Sequence, residues 1–234
     1  MSAAPRVARA GRNLLIALLV GAVLIVAIVV AYVGGRGSGT PAAAPTSAPA
    51  ATATSRASAS ASVDAAPTGC LGGSTRDASM LFAAQKSAPH SAYGAVEVAT
   101  AFARWAYRFP YPSAAEAREV GRRFIASAAS PAFKDVAGSY ANASDITGGR
   151  VEKGTPFYLS TTSGSWLVRQ GSRADKVTVD LKAAYAIAGE VSPTKTAAVS
   201  ATMVWVAGEW RVLSEQQPDT SALSAGGTQF AAGC

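Results

Sequence analysis

The chain has 234 residues, with 21 Lys+Arg against 14 Asp+Glu, a formal net charge of +7, and only two cysteines. That length accommodates one domain with attachments, or two small domains, and excludes a multidomain machine. Hydrophobic residues make up 49% of the chain, but alanine supplies nearly half of them and aromatics are only 8% of the chain, so the apolar fraction overstates the core.

Residues 1–13 carry Arg6, Arg9 and Arg12 with no acid among them. An uncharged apolar run follows from Leu14 to Val33. A helix of about 20 residues spans about 30 Å, the thickness of a bilayer's hydrocarbon core. The arginines in front of it, against the single Arg36 behind it, predict an N-terminus inside and everything after Val33 outside. A cleaved signal peptide is the alternative, but its apolar region usually covers only about 7–15 residues, and no convincing A-x-A site follows here. From residue 34 to 69 the chain is Ala, Ser, Thr, Pro and Gly with no large apolar residue except Val63. Such a segment cannot offset its ordering entropy by burial, so a disordered stalk with an r.m.s. reach of roughly 30–35 Å is expected.

Residues 70–234 are long enough for one core. Leu71 to Ser91 reads as polar and irregular apart from Met80, Leu81 and Phe82. From Gly94, Val98, Phe102, Trp105 and Phe109 recur at helical spacing and mark one apolar stripe. Phe109-Pro110-Tyr111-Pro112 stops that helix. Ser113-Ala-Ala-Glu116 is a capping-box sequence opening a second helix, with Ala117, Val120, Phe124 and Ile125 on its inner face. Ser130-Pro131 opens a third, with Phe133, Val136 and Tyr140 inward.

After Val151 the period becomes two. Phe157 to Thr161 and Trp166 to Arg169 read as short strands, Lys176 to Ile187 and Ala197 to Val206 as long ones. A turn at Ala207-Gly208-Glu209 returns Trp210 to Ser214 antiparallel. Within Lys176 to Ile187, Val177, Val179, Leu181, Ala183, Tyr185 and Ile187 share one side, and Thr178, Asp180 and Lys182 the other, read as the solvated side. The fold class is therefore α+β, three helices packed on the concave face of a curved antiparallel sheet.

No catalytic constellation is found, and the chain is read as a non-enzyme without cofactor or metal. His90 is solitary, so a catalytic pair and a zinc site lack partners. The glycines of residues 35–39 follow an apolar span rather than a strand, out of context for a dinucleotide loop. No phosphate loop or nucleophile elbow occurs. Trp105, Trp166, Trp205 and Trp210 read as packing residues. On the second helix, Glu119 and Arg123 form an i,i+4 pair, while Arg118 and Arg122 form a basic ridge, either plain solvated surface or a docking edge for an acidic partner. Asn142-Ala-Ser144 matches a glycosylation sequon. Cys70 and Cys234 stand at the two ends of the domain, and outside the membrane an even count favours pairing, so a disulfide clasping the ends is expected.

The order of anchor, stalk, three helices and sheet, ending in Met203-Val-Trp-Val-Ala-Gly-Glu-Trp-Arg-Val-Leu-Ser214, resembles the membrane-anchored, nuclear-transport-factor-2-like domains of Gram-positive conjugation and type IV secretion machines. In residues, the resemblance rests on the helix around Gly94 to Phe109 and the closing hairpin with Gly208-Glu209-Trp210-Arg211. The Cys-Leu-Gly-Gly opening at Cys70 to Gly73 is similar to stalked proteins of actinobacterial conjugative elements. The family has no catalytic residues to carry over, so the resemblance implies a cone-shaped scaffold at the cell membrane. Its implied partners are other envelope proteins and a second copy of itself. Two alternatives stay open, a small-molecule-binding or enzymatic cone and an accessory scaffold of a lipid-import system. Residues 1–69 carry five Arg and one Asp, and Cys70 to Cys234 carry 16 basic and 13 acidic residues. Most of the positive excess lies outside the domain, and no direct nucleic-acid partner is expected.

Overall fold

A computed structural model describes residues 66–234. The basic tail, the apolar run of residues 14–33 and nearly all of the stalk lie outside the described residues. Among the described residues no helix is long and apolar enough to cross a membrane.

Asp77 opens the first helix, α1 (Ala78–Ser87), its carboxylate accepting from the Met80 backbone N–H. This helix corrects the irregular reading of Leu71 to Ser91. It buries Met80, Leu81, Ala84 and Gln85, and Gln85 Nε2 donates to the Trp210 carbonyl at 2.9 Å. Ser91 caps α2 (Ala92–Ala106) by accepting from Gly94 N–H. The helix touches all four long strands of the sheet, so apolar residues are buried well beyond the predicted stripe, among them Val96, Ala99 and Ala103. Phe109 lies outside it, in the short strand β1 (Arg108–Phe109).

Ser113 caps α3 (Ala114–Arg123), accepting from Glu116 N–H at 3.2 Å. Only this half of the predicted capping box forms. The Glu116 carboxylate instead accepts from Ala78 N–H, Trp105 Nε1 and Arg108 Nη2 at 2.7–2.9 Å, joining α1, α2 and β1 to α3. The expected third helix is two, α4 (Pro131–Lys134) and α5 (Val136–Asn142), because Asp135 leaves helical geometry and caps the second by accepting from Gly138 N–H.

The sheet is a curled antiparallel half-barrel in the order β1, β2 (Phe157–Val168), β3 (Lys176–Ile187), β4 (Glu190–Val206), β5 (Glu209–Gln216). The two short strands expected between Phe157 and Arg169 are one, interrupted by a register shift between Ser160 and Ser165. Gly164 sits in that interruption, where a Cβ would come 2.5 Å from the Lys182 carbonyl oxygen. β4 starts earlier than expected, after the two-residue turn Ala188-Gly189, and Ala207-Gly208 joins β4 to β5 in the same way. All four turn residues have positive φ, the requirement of a turn matched to right-handed strand twist. A last helix, α6 (Thr220–Gly226), packs on β2 and β3, and the final strand β6 (Thr228–Gln229) pairs with β2.

Inside the curl, Val177, Val179, Leu181 and Tyr185 of β3 join Phe102, Trp105, Phe124, Met203, Trp210 and Val212 in one core. The ends of the domain are tied together. Cys70 and Cys234 form the expected disulfide, with their Cα atoms 5.1 Å apart. Gly69 N–H donates to the Ala231 carbonyl, and buried Arg104 donates from Nη1 to the carbonyls of Leu71 and Gly73. Burial of that guanidinium, with Arg76 nearby, lowers its pKa to about 10.

Candidate functional site

Where α2 ends, the chain cannot close its own packing. Phe102, Trp105 and Ala106 face a space bounded by Tyr107, by Ile125 just past α3, by Phe133 on α4, and by Val136 and Tyr140 on α5. Ile146 and Ser139 complete the wall, and Glu215 near the end of β5 is the one acid in the lining. The cavity holds about 190 Å³. Its shape is fixed by interlocked rings. Tyr140 donates its hydroxyl proton to the Ala106 carbonyl at 2.8 Å and meets Trp105 edge-on, while Phe102 stacks between Trp105 and Phe124.

The electrostatics follow from this apolar setting. Desolvation raises the pKa of the Tyr107 and Tyr140 hydroxyls, and the negative charge of Glu215 raises both further. Both therefore remain neutral donors. Glu215 is exposed as a residue, so it stands at the cavity mouth, yet desolvation raises its carboxyl too, and no neighbouring cation offsets the shift. Among the described residues nothing donates a hydrogen bond to that carboxylate or pairs with it. The arrangement suits recognition. Besides Glu215, the polar side chains of the lining are the hydroxyls of Ser139, Tyr107 and Tyr140 and the indole of Trp105.

Sequence reasoning identified Tyr140 as inward-facing but missed Tyr107 and Glu215. Glu215 carries no local signal, because a lone acid near a strand end looks like solvated surface until α5 is folded over it.

The basic ridge lies elsewhere. Arg118 and Arg122 are exposed, as expected, and the fold brings them together with Lys134 and Arg211 around a broad trough that also contains Asp135. Arg123 faces away from it, paired with Glu119 at 2.7 Å and seated over the Phe82 ring.

Asp180 requires a correction. The alternation placed it on the side opposite Val179 and Leu181, but that side is not solvated there, and its side chain has 0% exposure. The segment after β5 crosses it. Asp180 Oδ2 accepts from Arg169 Nε at 2.7 Å and from Asp219 N–H at 3.1 Å, and Arg169 also donates to the Gln217 carbonyl. The pair straps the C-terminal segment onto the sheet. His90 is exposed, but its ring stacks on Trp205 with centroids 4.4 Å apart and meets Trp210 edge-on. Trp105, Trp166 and Trp210 are buried packing residues, and Trp205 is half-buried. Asn142 of the sequon is exposed at the end of α5.

Among the described residues no cluster of three or more His, Cys, Asp or Glu could hold a metal ion. In comparisons with known proteins, no family model, no curated protein and no solved structure matches the chain.

Proposed function

We propose that residues 70–234 work outside the cytoplasm as a non-catalytic assembly or scaffold component of an envelope-spanning complex for conjugation or type IV secretion. In this reading residues 14–33 anchor the chain in the membrane, and residues 34–69 hold the domain away from it. The observation that carries the reading is the Cys70–Cys234 pair. A disulfide persists in an oxidising compartment, and this one closes the domain at the point where the stalk enters. A helix laid across a curled antiparallel sheet supports the finer assignment to a nuclear-transport-factor-2-like cone. Such a cone presents its helices and sheet edges to partners. Crosslinking in cells followed by mass spectrometry tests the proposal. Crosslinks to other envelope proteins are expected, and recovery as a lone monomer overturns it.

A second reading, a small-molecule-binding cone, is favoured by one observation, the aromatic cavity with Glu215 at its mouth. It is compatible with the first, since a scaffold with a ligand site remains a scaffold.

A further inference from the structure

The cavity at the end of α2 has a chemistry that narrows its ligand, an inference that rests on the second reading above. Its volume of about 190 Å³ slightly exceeds the ~150 Å³ of an apolar cavity known to take benzene. One aromatic ring with a short substituent therefore fits. The wall is almost entirely aromatic and aliphatic, with the faces and edges of Phe102, Trp105, Tyr107, Phe133 and Tyr140 turned on a small space. Ring faces carry negative quadrupole potential and attract cations. The one carboxyl of the lining is Glu215, and among the described residues it lacks a cationic partner. Arg108, whose charge acts on the Tyr140 hydroxyl, is already held by Glu116 at 2.8 Å.

We propose that this cavity binds a small organic ammonium ion, its apolar body among the rings and its charged nitrogen at the mouth against Glu215. An anionic ligand meets a like charge there, and a neutral one leaves the carboxylate unpaired. The two tyrosine hydroxyls do not compete for the cation's role. Tyr140 spends its proton on the Ala106 carbonyl, and neither hydroxyl ionises near neutral pH.

The test compares two probes of nearly equal shape, benzylamine and benzyl alcohol, the first charged at neutral pH. Each is titrated by calorimetry and tryptophan emission into the full-length chain in nanodiscs of zwitterionic lipid, which offer the amine no anionic surface. Benzylamine is expected to bind at least about tenfold more tightly than benzyl alcohol, the equivalent of about 1.4 kcal/mol. Glu215→Gln, at an exposed position, should abolish that preference while leaving benzyl alcohol binding in place. Ser139→Phe, which roofs the mouth from α5, should weaken both. Equal binding of the two probes by the unmodified chain overturns the ammonium assignment and leaves the cavity reading standing. No binding of either probe overturns both.

Discussion

Replacing both Cys70 and Cys234 with serine is the most direct test of how the domain is held. The two residues are 164 positions apart, so in the loop-entropy model the cross-link removes about 17 cal/mol/K from the unfolded chain, or about 5 kcal/mol at 25 °C. Single domains are stable by only about 5–15 kcal/mol, so the loss is a third or more of the total. The native backbone contacts at the ends are not made by the sulfurs. Gly69 N–H donates to the Ala231 carbonyl, and the backbone of residue 234 meets Thr161 through two bonds. The double variant should therefore fold, with its penalty arising almost wholly in the unfolded state. Urea unfolding followed by far-UV circular dichroism reads this directly. With a slope of roughly 2 kcal/mol/M the midpoint falls by about 2 M or more, and the slope itself rises because the uncrosslinked chain expands further. A loss below about 1 kcal/mol with an unchanged slope would refute the reasoning, since the bond would then constrain nothing that the backbone contacts do not already hold.

Asp180→Ala leaves Arg169 and Asp219 N–H without their acceptor; the cost should reach about 3 kcal/mol, the low end for a broken buried pair because Arg169 is 27% exposed. Amide exchange in α6 should accelerate more than in α2 if the strap is what fails. Glu116→Ala removes the shared acceptor of Trp105 Nε1, Ala78 N–H and Arg108, with an expected loss of about 3 kcal/mol in urea unfolding. A loss no larger than that of an exposed surface acid would mean that water replaces Glu116 at every donor. Burial raises the Glu97 carboxyl above its ordinary value of 4.5. The folded chain then binds more protons than the unfolded one in the window above 4.5, so this contribution to stability is complete below that value and is lost as pH rises through the folded pKa. Glu97→Gln should flatten the decline in urea midpoint across that window, and a variant with an unchanged profile would assign the decline to other groups.

The features legible in the sequence are those that depend on neighbours in the chain. The limits of β3, Lys176 and Ile187, coincide with the reading because a long alternation ends where the pattern ends. The stripe Val98, Phe102, Trp105 located α2, and Ser113 and Ser130 marked the caps used. The helix at Ala78–Ser87 escaped because Ala83, Ala84 and Gln85 blur its apolar face, and Gln85 is buried only through a partner 125 residues away. Splitting β2 in two followed from the polar run Thr161-Thr162-Ser163, which is a register shift inside one strand. Asp180 failed differently. Alternation gave its side of the sheet correctly, but whether that side is wet depends on Gln217 to Asp219, which cross it from 37 to 39 residues away. The cavity is the extreme case. Tyr107, Tyr140 and Glu215 come from three elements, and no local pattern relates them.

The disulfide also bears on how the sheet ends. β2 has β3 on one side, and its other edge would present unpaired backbone groups, a template for another chain. Between Phe157 and Trp166 that edge is covered from three sources. β1 pairs at Tyr158 and Phe157, with Leu159 N–H donating to Tyr107. β6 pairs at Ser165 and Trp166, with Phe230 N–H donating to Gly164. Between them, at the register shift, neither strand reaches, and Thr161 N–H donates instead to the carbonyl of Cys234 at 2.7 Å. Cys234 is held beside that stretch by its bond to Cys70. The cross-link therefore acts twice, on the entropy of the unfolded chain and on the stretch of β2 edge that Cys234 covers. These roles separate experimentally, because the first appears in the urea midpoint of a dilute monomer and the second only in association that rises with protein concentration. β5, by contrast, is met by other segments at Trp210, whose carbonyl accepts from Gln85 Nε2, and at Val212, through Ala126 N–H and the Phe124 carbonyl. If the domain pairs with a second copy through its sheet, β5 is the edge with backbone groups left to offer.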